Sequence, residues 1–537
     1  MAERHNRAQY DAVVVGAGHN GLVAANLLAD AGLGVLVLEA GTTAGGAVRS
    51  DQSVQAGYIT DLYSAFYPLA VASPVISALD LQRWGLRWSH APAVLAHVLP
   101  DDRCAVLSRD RDATAASVGQ FAAADASSWL ALVEEFDRIR EPLLESILRP
   151  FPPIRGAAGL LRRLGAADAL RFARFAASPV RRFSQERFRG EGAALLLAGN
   201  ASHTDLSPEN AGSALYGWLL SMLGQTTGFP VPVGGSGELI RSMLSRLRAA
   251  GGEVRLAAPV ARVLVHGRRA TGVRLASGEQ ITAGAVLADV GAPALYRELV
   301  GTEYLPPRLV RDLDGFQWDP PTLKVNWALT GPIPWTAVGA RGAGTVHLGV
   351  DLDGLTRYAA DLTTRDLPAR PFLLLGQMTT ADASRSPAGT ESAWAYTHLP
   401  AGRQLTADDV AGHVQLVEAT IERHAPGFGD LIGARTVQGP HELEAADANL
   451  VSGAVGGGTS ALHQQLLFRP TPGLSRAETP IDGLYLASSA AHPGGGVHGS
   501  PGANAARAAL LRTGRLGGLH RRGVDLLLDQ LYAERRM

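Results

Sequence analysis

The chain has almost no cysteine, and that removes several chemistries at once. Cys104 stands alone, so an internal disulfide, a CxxC redox pair and a thiolate metal cluster are all excluded, and no metal site is expected. A reducing, cytoplasmic setting is the simplest expectation. Lysine is just as scarce: of 49 Lys plus Arg residues, Lys324 is the single lysine. Formal charge is −1, so neither a broad polyanion-binding surface nor a nucleic-acid partner is expected. Long apolar runs are missing as well. No stretch of 18 apolar residues occurs, and the opening MAERHNRAQ is polar with no apolar signal core, so no membrane span is expected.

What is present is organised around residues 10–39, YDAVVVGAGHNGLVAANLLADAGLGVLVLE. The apolar run Asp11 to Val15 reads as a strand buried on both faces, and it leads into Gly16, Gly18 and Gly21, a G-x-G-x-x-G turn opening a helix. In that motif the first glycine makes the tight turn, the second lets a pyrophosphate approach the backbone, and the third lets helix and strand pack closely. The helix N-terminus then faces the phosphates. Val35 to Leu38 reads as the second strand, and Glu39 ends it, where a carboxylate accepts from ribose hydroxyls and favours a free 2′-hydroxyl. Strand, turn, helix, strand and terminal acid arrive in order, which a lone glycine motif would not provide.

A length of 537 residues points to two or three domains, interleaved in sequence. Gly45 and Gly46, followed by Arg49, offer a loop that can return to the pyrophosphate. Residues 93–108 read as a hairpin, and residues 113–148 as helix, with Phe121, Trp129, Leu132, Val133 and Phe136 at core spacing. Residues 155–189 carry nine arginines and two acids, Asp168 and Glu186, among apolar residues expected mostly on one side of a helix; such a stretch more often is a solvated helix packed on its own domain, and it can also lie on an anionic membrane surface. Residues 211–237 contain no charge and read as an apolar helix that either lies beside a ligand cavity or is an ordinary core helix. Short strands follow from Glu253 to Leu287, and a sheet-bearing region from Asp319 to about Leu399. No second G-x-G-x-x-G appears among these later strands, so a nicotinamide domain is not supported.

The N-terminal GAGHNG, the Gly45-Gly46 pair, GGSGEL through VARVLV, and the closing GLYLASSAAHPGGGVHGSPGANAA together resemble the phytoene-desaturase-like branch of the flavin amine oxidase superfamily. That branch includes proteins called pyridine-nucleotide-disulfide oxidoreductase domain proteins. The resemblance implies an α/β fold: a Rossmann-type FAD-binding domain, discontinuous over residues 1–112, 230–300 and 475–520, and a second mixed sheet-plus-helix substrate domain, helical over 113–229 and sheet-bearing over 301–474, with a tail at 521–537. It implies FAD, held noncovalently because the only cysteine lies in the expected hairpin. Carried over by residue, Gly16, Gly18, Gly21 and Glu39 hold the pyrophosphate and adenosine ribose, Gly45, Gly46 and Arg49 border the phosphates, and the backbone of Val260 pairs with adenine. Gly495, Gly496, Val497 and His498 pass the flavin ring.

Three functions compete under this resemblance. The first is an FAD-dependent dehydrogenase, desaturase or isomerase taking hydride from a large apolar, polyene-like small molecule and passing electrons to oxygen, a quinone or another carrier. The second is an amine or amino-acid oxidase, which wants an aromatic cage that Tyr63, Phe66, Tyr67, Tyr216 and Trp218 could supply. The third is a non-enzymatic FAD-fold binding protein, disfavoured because all the cofactor segments are kept. Lys324 and His498 are the candidate catalytic residues; His463, His492 and Glu442 are acid/base candidates more often structural. A composition that uses arginine everywhere else suggests that the one lysine sits where a forked guanidinium cannot. The family's amine oxidases carry a lysine on a corresponding strand, bridged through water to flavin N5. Alternation sets Lys324 opposite the Leu323, Val325 and Trp327 face.

Overall fold

The computed structural model describes residues 9–533; residues 1–8 of the polar opening and 534–537 of the expected tail lie outside the described residues. Two seven-stranded sheets dominate. In the first, Gln9–Val15 lies between Val35–Leu38 and Gln280–Ala288, all parallel, with Glu253–Arg255 outside Val35–Leu38. The hairpin Val260–His266 and Arg269–Leu275 pairs with the first half of Gln280–Ala288, and Leu484–Leu486 runs parallel to its second half. Period-2 alternation explains how both faces are covered. Ala12, Val14, Val35 and Val37 pack under the helices His19–Asp30, Gly237–Ala249 and Ser500–Thr513. Val13, Val15, Leu36 and Leu38 face the opposite core, which includes Leu295, Leu309 and Leu528.

The second sheet runs Ile432–Gln438, Thr322–Leu329, Glu391–His398, Leu373–Gln377, Ala343–Leu348, Ala93–Val98 and Cys104–Leu107. Every neighbouring pair is antiparallel except Ala93–Val98 with Ala343–Leu348. Leu323, Val325, Trp327 and Leu329 form the expected single face and pack on Val414, Val417 and Ile421 of the helix Ala407–His424. The other face carries Leu95, Leu374 and Trp394 toward a helical layer formed by Asp125–Leu148, Glu191–Ser202 and Ser213–Thr227.

Three expectations are corrected. The hairpin near residues 93–108, assigned to the first domain through residue 112, joins the second sheet: Ala96 and Val98 pair with Val346 and Leu348, which covers that edge of Ala343–Leu348 and leaves Cys104–Leu107 as the outer strand. The helix expected over 113–148 is two, Arg111–Gly119 and Asp125–Leu148, broken where the buried Asp125 carboxylate turns to accept from the N–H groups of Arg189 and Gly190, each at 2.8 Å. The tail from 521 belongs to a docked helix, Gly517–Tyr532, whose Arg521 donates to the carbonyls of Thr479 and Pro480. The basic stretch is mostly one-sided, as expected: Leu160, Leu164, Phe172 and Phe175 of Ile154–Ala177 pack on the helical core, while Leu161 and Leu170 are 52% and 75% exposed.

Candidate functional site

The site begins at the glycine turn. Gly16 has φ +96°, and a Cβ on Gly21 would lie 2.3 Å from the Gly16 carbonyl oxygen, so neither position takes a side chain without moving the helix off the strand. Glu39 braces this turn from the next strand: Oε2 accepts from Ala17 N at 2.8 Å and Oε1 from Gly41 N at 2.8 Å. The loop with Gly45 and Gly46 folds back onto the turn, Gly45 N donating to Ala17 O at 3.0 Å and Gly46 lying against the Cα of Gly18. Arg49 follows; its Nε donates to Gly46 O at 2.9 Å, and its Nη2 to the Tyr63 hydroxyl at 2.7 Å and to Ala446 O at 3.0 Å. Val260 opens its strand two residues beyond Ala258, whose N–H donates to Glu39 O at 2.8 Å.

From Tyr63 the contacts run into the second sheet. Lys324 is 3% exposed, and its Nζ donates to the carbonyl of Asp61 and to that of Tyr63 at 3.3 Å. Nζ also lies 5.3 Å from the centroid of Trp394, which stacks on Tyr396 at 6.0 Å and is flanked by Phe66 at 6.1 Å. Burial lowers the amine pKa to about 7, against the nearby Asp61 and Asp51 carboxylates, which raise it. The expected orientation of Lys324, away from the Leu323 and Trp327 face, is the one observed. Beneath it Asp61 is fully buried and paired with Arg385 at 2.9 Å, and Arg385 pairs with Asp382 at 3.0 Å. These ions tie the segment after the cofactor loop to the second sheet's helical turn Ala383–Arg385.

The C-terminal glycines close the circle. A Cβ on Gly502 would lie 1.9 Å from Asn20 O, so the start of helix Ser500–Thr513 touches the start of His19–Asp30. His498 is buried, its Nδ1 accepts from Ser500 N at 3.1 Å, and its carbonyl accepts from Ser73 Oγ at 2.7 Å. Burial, with His19 beside it, pulls the His498 pKa down to about 3, so the ring is neutral and serves as an acceptor at the helix start. Around this junction the buried atoms His19 Nε2, Asn20 Oδ1 and Ser500 Oγ have no hydrogen-bond partner among the described residues. Orphaned polar atoms beside a side-chain-free glycine cradle fit a large polar cofactor such as FAD, which would supply their partners.

Several candidates lie elsewhere. Trp218 is packed between Phe136, Phe172 and Phe175 in the helical core. His463 is exposed and bonded to Gln317, Glu442 accepts from Gly439 N at its own helix start, and His492 contacts Arg149 O. Sequence spacing alone passes over Asp289, Asp61 and Arg385. A signal for Asp289 existed: it ends the strand Gln280–Ala288 as an acid, as Glu39 ends Val35–Leu38.

A family model described as flavin containing amine oxidoreductase matches residues 21–510. Mouse (Mus musculus) pyridine nucleotide-disulfide oxidoreductase domain-containing protein 2 is 28% identical over 93% of each chain. Hydroxyneurosporene desaturase of Cereibacter sphaeroides is 25% identical over 90% of this chain and 94% of its own. The solved cyclohexylamine oxidase of Brevibacterium oxydans superposes with a TM-score of 0.58 at 17% identity, over 93% of this chain and 98% of that one, a likeness of fold alone. With a glycine cradle, a bracing acid and a returning loop assembled from three distant segments, the match over residues 21–510 shows that the chain belongs to the flavin-containing amine oxidoreductase family, an FAD-dependent oxidoreductase.

Proposed function

We propose that the chain is a dehydrogenase or desaturase, with isomerisation as a variant of the same chemistry, acting on a large apolar, polyene-like substrate. The observation that carries this reading is the state of the aromatic wall: Trp394 is already covered by the Lys324 ammonium at 5.3 Å and stacked on Tyr396. A cationic amine needs an open ring face, and here the Lys324 amino group already stands over it. The full-length likeness to a hydroxyneurosporene desaturase supports the same choice. In this reading Gly16, Gly18, Gly21, Gly45, Gly46 and Arg49 hold the pyrophosphate, Glu39 the ribose, Val260 the adenine, and Gly495, Gly496, Val497 and His498 border the flavin.

When bound, FAD supplies a hydride acceptor at N5 and returns the electrons to oxygen, a quinone or another carrier. The protein's share is binding and orientation. Lys324, held by two carbonyls, offers a compact donor beside the aromatic wall, while the neutral His498 fixes the start of helix Ser500–Thr513, whose free N–H groups favour negative charge. We also propose peripheral contact with an anionic membrane through helix Ile154–Ala177, where Leu161 and Leu170 stand exposed beside Arg162, Arg163, Arg171 and Arg174. No helix among the described residues is long and apolar enough to cross a membrane. The test is anaerobic bleaching of the flavin spectrum. Polyenes should reduce it and primary amines should not; reduction by amines alone would overturn the reading.

A further inference from the structure

Asp289 is buried directly behind the glycine turn. Its Oδ2 accepts from Gly21 N at 2.8 Å, within the first turn of helix His19–Asp30, and its own N–H donates to Val15 O at 2.8 Å. A Cβ on Gly18 would meet that same Oδ2 at 2.6 Å, and one on Gly16 would meet the Asp289 carbonyl oxygen at 2.8 Å. All three glycines of the motif therefore close on this one residue. An N–H at a helix start is the kind of donor that binds phosphate, and Asp289 already uses one.

The groups around it come from every neighbouring segment. Glu39 approaches from the end of Val35–Leu38 and Asp447 from beyond the helix Pro440–Ala446, with the Arg49 guanidinium of the returning loop acting on Asp447. Asn449 adds a contact to the Asp289 carbonyl at 3.4 Å. Two carboxyl groups thus face Asp289, and the one guanidinium close by acts on Asp447. Burial above all, then the charges of Asp447 and Glu39, raise the Asp289 pKa to about 7 against the lowering effect of Gly21 N–H. His19 is held neutral by burial, its pKa about 4.

We propose that Asp289 is a further positioning residue of the dinucleotide site: in the free protein its carboxylate occupies the anion-binding start of helix His19–Asp30, and it takes up one proton when the pyrophosphate of FAD docks at the turn. The inference rests on the FAD assignment. Two phosphate charges added beside a carboxyl group already surrounded by acids favour its neutral form. Below about pH 7 the proton is present before binding, and affinity does not depend on it; above that pH each FAD bound draws a proton from solvent, so affinity falls as pH rises.

The measurement is FAD titration of the deflavinated full-length chain between pH 6 and 9, with calorimetry in two buffers of different ionisation enthalpy. The natural protein should take up close to one proton per FAD at about pH 8 and lose affinity by up to roughly tenfold per pH unit above 7, the limit for one linked proton. Asp289→Asn should bind with no uptake and keep at pH 9 the affinity it has at pH 6, while Asp447→Asn should retain the uptake. A flat affinity with no uptake in the natural protein overturns the inference whether or not the variants fold. So does uptake that persists in Asp289→Asn. Failure to bind FAD at any pH would instead strike the cofactor assignment itself.

Discussion

Both oxygens of Glu39 are engaged by backbone donors, so this one side chain secures the turn, and in the proposed function it holds the ribose as well. Glutamine has a single acceptor oxygen and would aim its NH2 at Ala17 N–H or Gly41 N–H. Glu39→Gln is therefore expected to weaken FAD binding by roughly 1 to 3 kcal/mol, the scale of a lost charge-assisted bond, and to lower Tm as well. An unchanged Tm with unchanged FAD affinity would show that neither role is real. Lys324→Met should leave FAD bound but slow flavin reduction or reoxidation at least about tenfold, about 1.4 kcal/mol of barrier; stopped-flow rates within a factor of two of the natural protein would dismiss the flavin-side role. Stability adds a second readout. With its folded pKa at about 7 and an ordinary value of 10.5, Lys324 carries fewer protons in the folded chain than in the unfolded one across that window, so its contribution rises with pH from 7 to 10.5. Lys324→Met should flatten that rise in thermal melts. Glu39 was legible because it ends an apolar strand at a fixed distance from the glycines, and Lys324 because it is alone. Their partners were not: Asp61 and Tyr63 precede Lys324 by more than 260 positions, and nothing local marks a carbonyl as an acceptor.

Elements with a plain period were readable, and those whose limits depend on distant atoms were not. Gln9–Val15, His19–Asp30 and the Leu323-to-Leu329 face follow apolar spacing directly. The hairpin Ala93–Val98 with Cys104–Leu107 was readable as a hairpin, yet its sheet was not, because pairing with Ala343–Leu348 is decided across some 250 residues. The helix Ile154–Ala177 was read as mostly one-sided, and Leu160, Leu164, Phe172 and Phe175 do share the core side, but its break at Gly165, φ +73°, was not legible. Helix Ser500–Thr513 offers the sharpest test at this scale. Its Gly502 meets Asn20 O so closely that Gly502→Ala must push apart the starts of the two helices, which the proposed function sets at the cofactor. A loss of about 1 to 3 kcal/mol in denaturant melts is expected, with FAD released at lower denaturant than in the natural protein. A melt and an FAD release midpoint equal to those of the natural protein would mean that the two helix starts move freely.

Across the whole molecule, the exposed leucines and arginines of Ile154–Ala177 predict flotation with anionic liposomes at low salt, screened as ionic strength rises. Leu161→Asp with Leu170→Asp should abolish it while leaving the melt unchanged, since both side chains stand in solvent; flotation that survives the pair would assign the contact to another face.

The strand order of the first sheet bears on how the chain is made. Gln9–Val15 emerges early, yet its neighbour Gln280–Ala288 follows far later, and Leu484–Leu486, which completes that neighbour's second half, later still. At about 5 to 20 residues per second, the interval of about 470 residues from Val15 to Leu484 lasts between about 20 and 100 s on the ribosome. During all of it the glycine turn exists without Asp289 beside it or without the helix Ser500–Thr513 over it. A site that needs all these segments cannot hold FAD before they are made, so nascent chains arrested before residue 484 should retain no bound flavin even in saturating FAD.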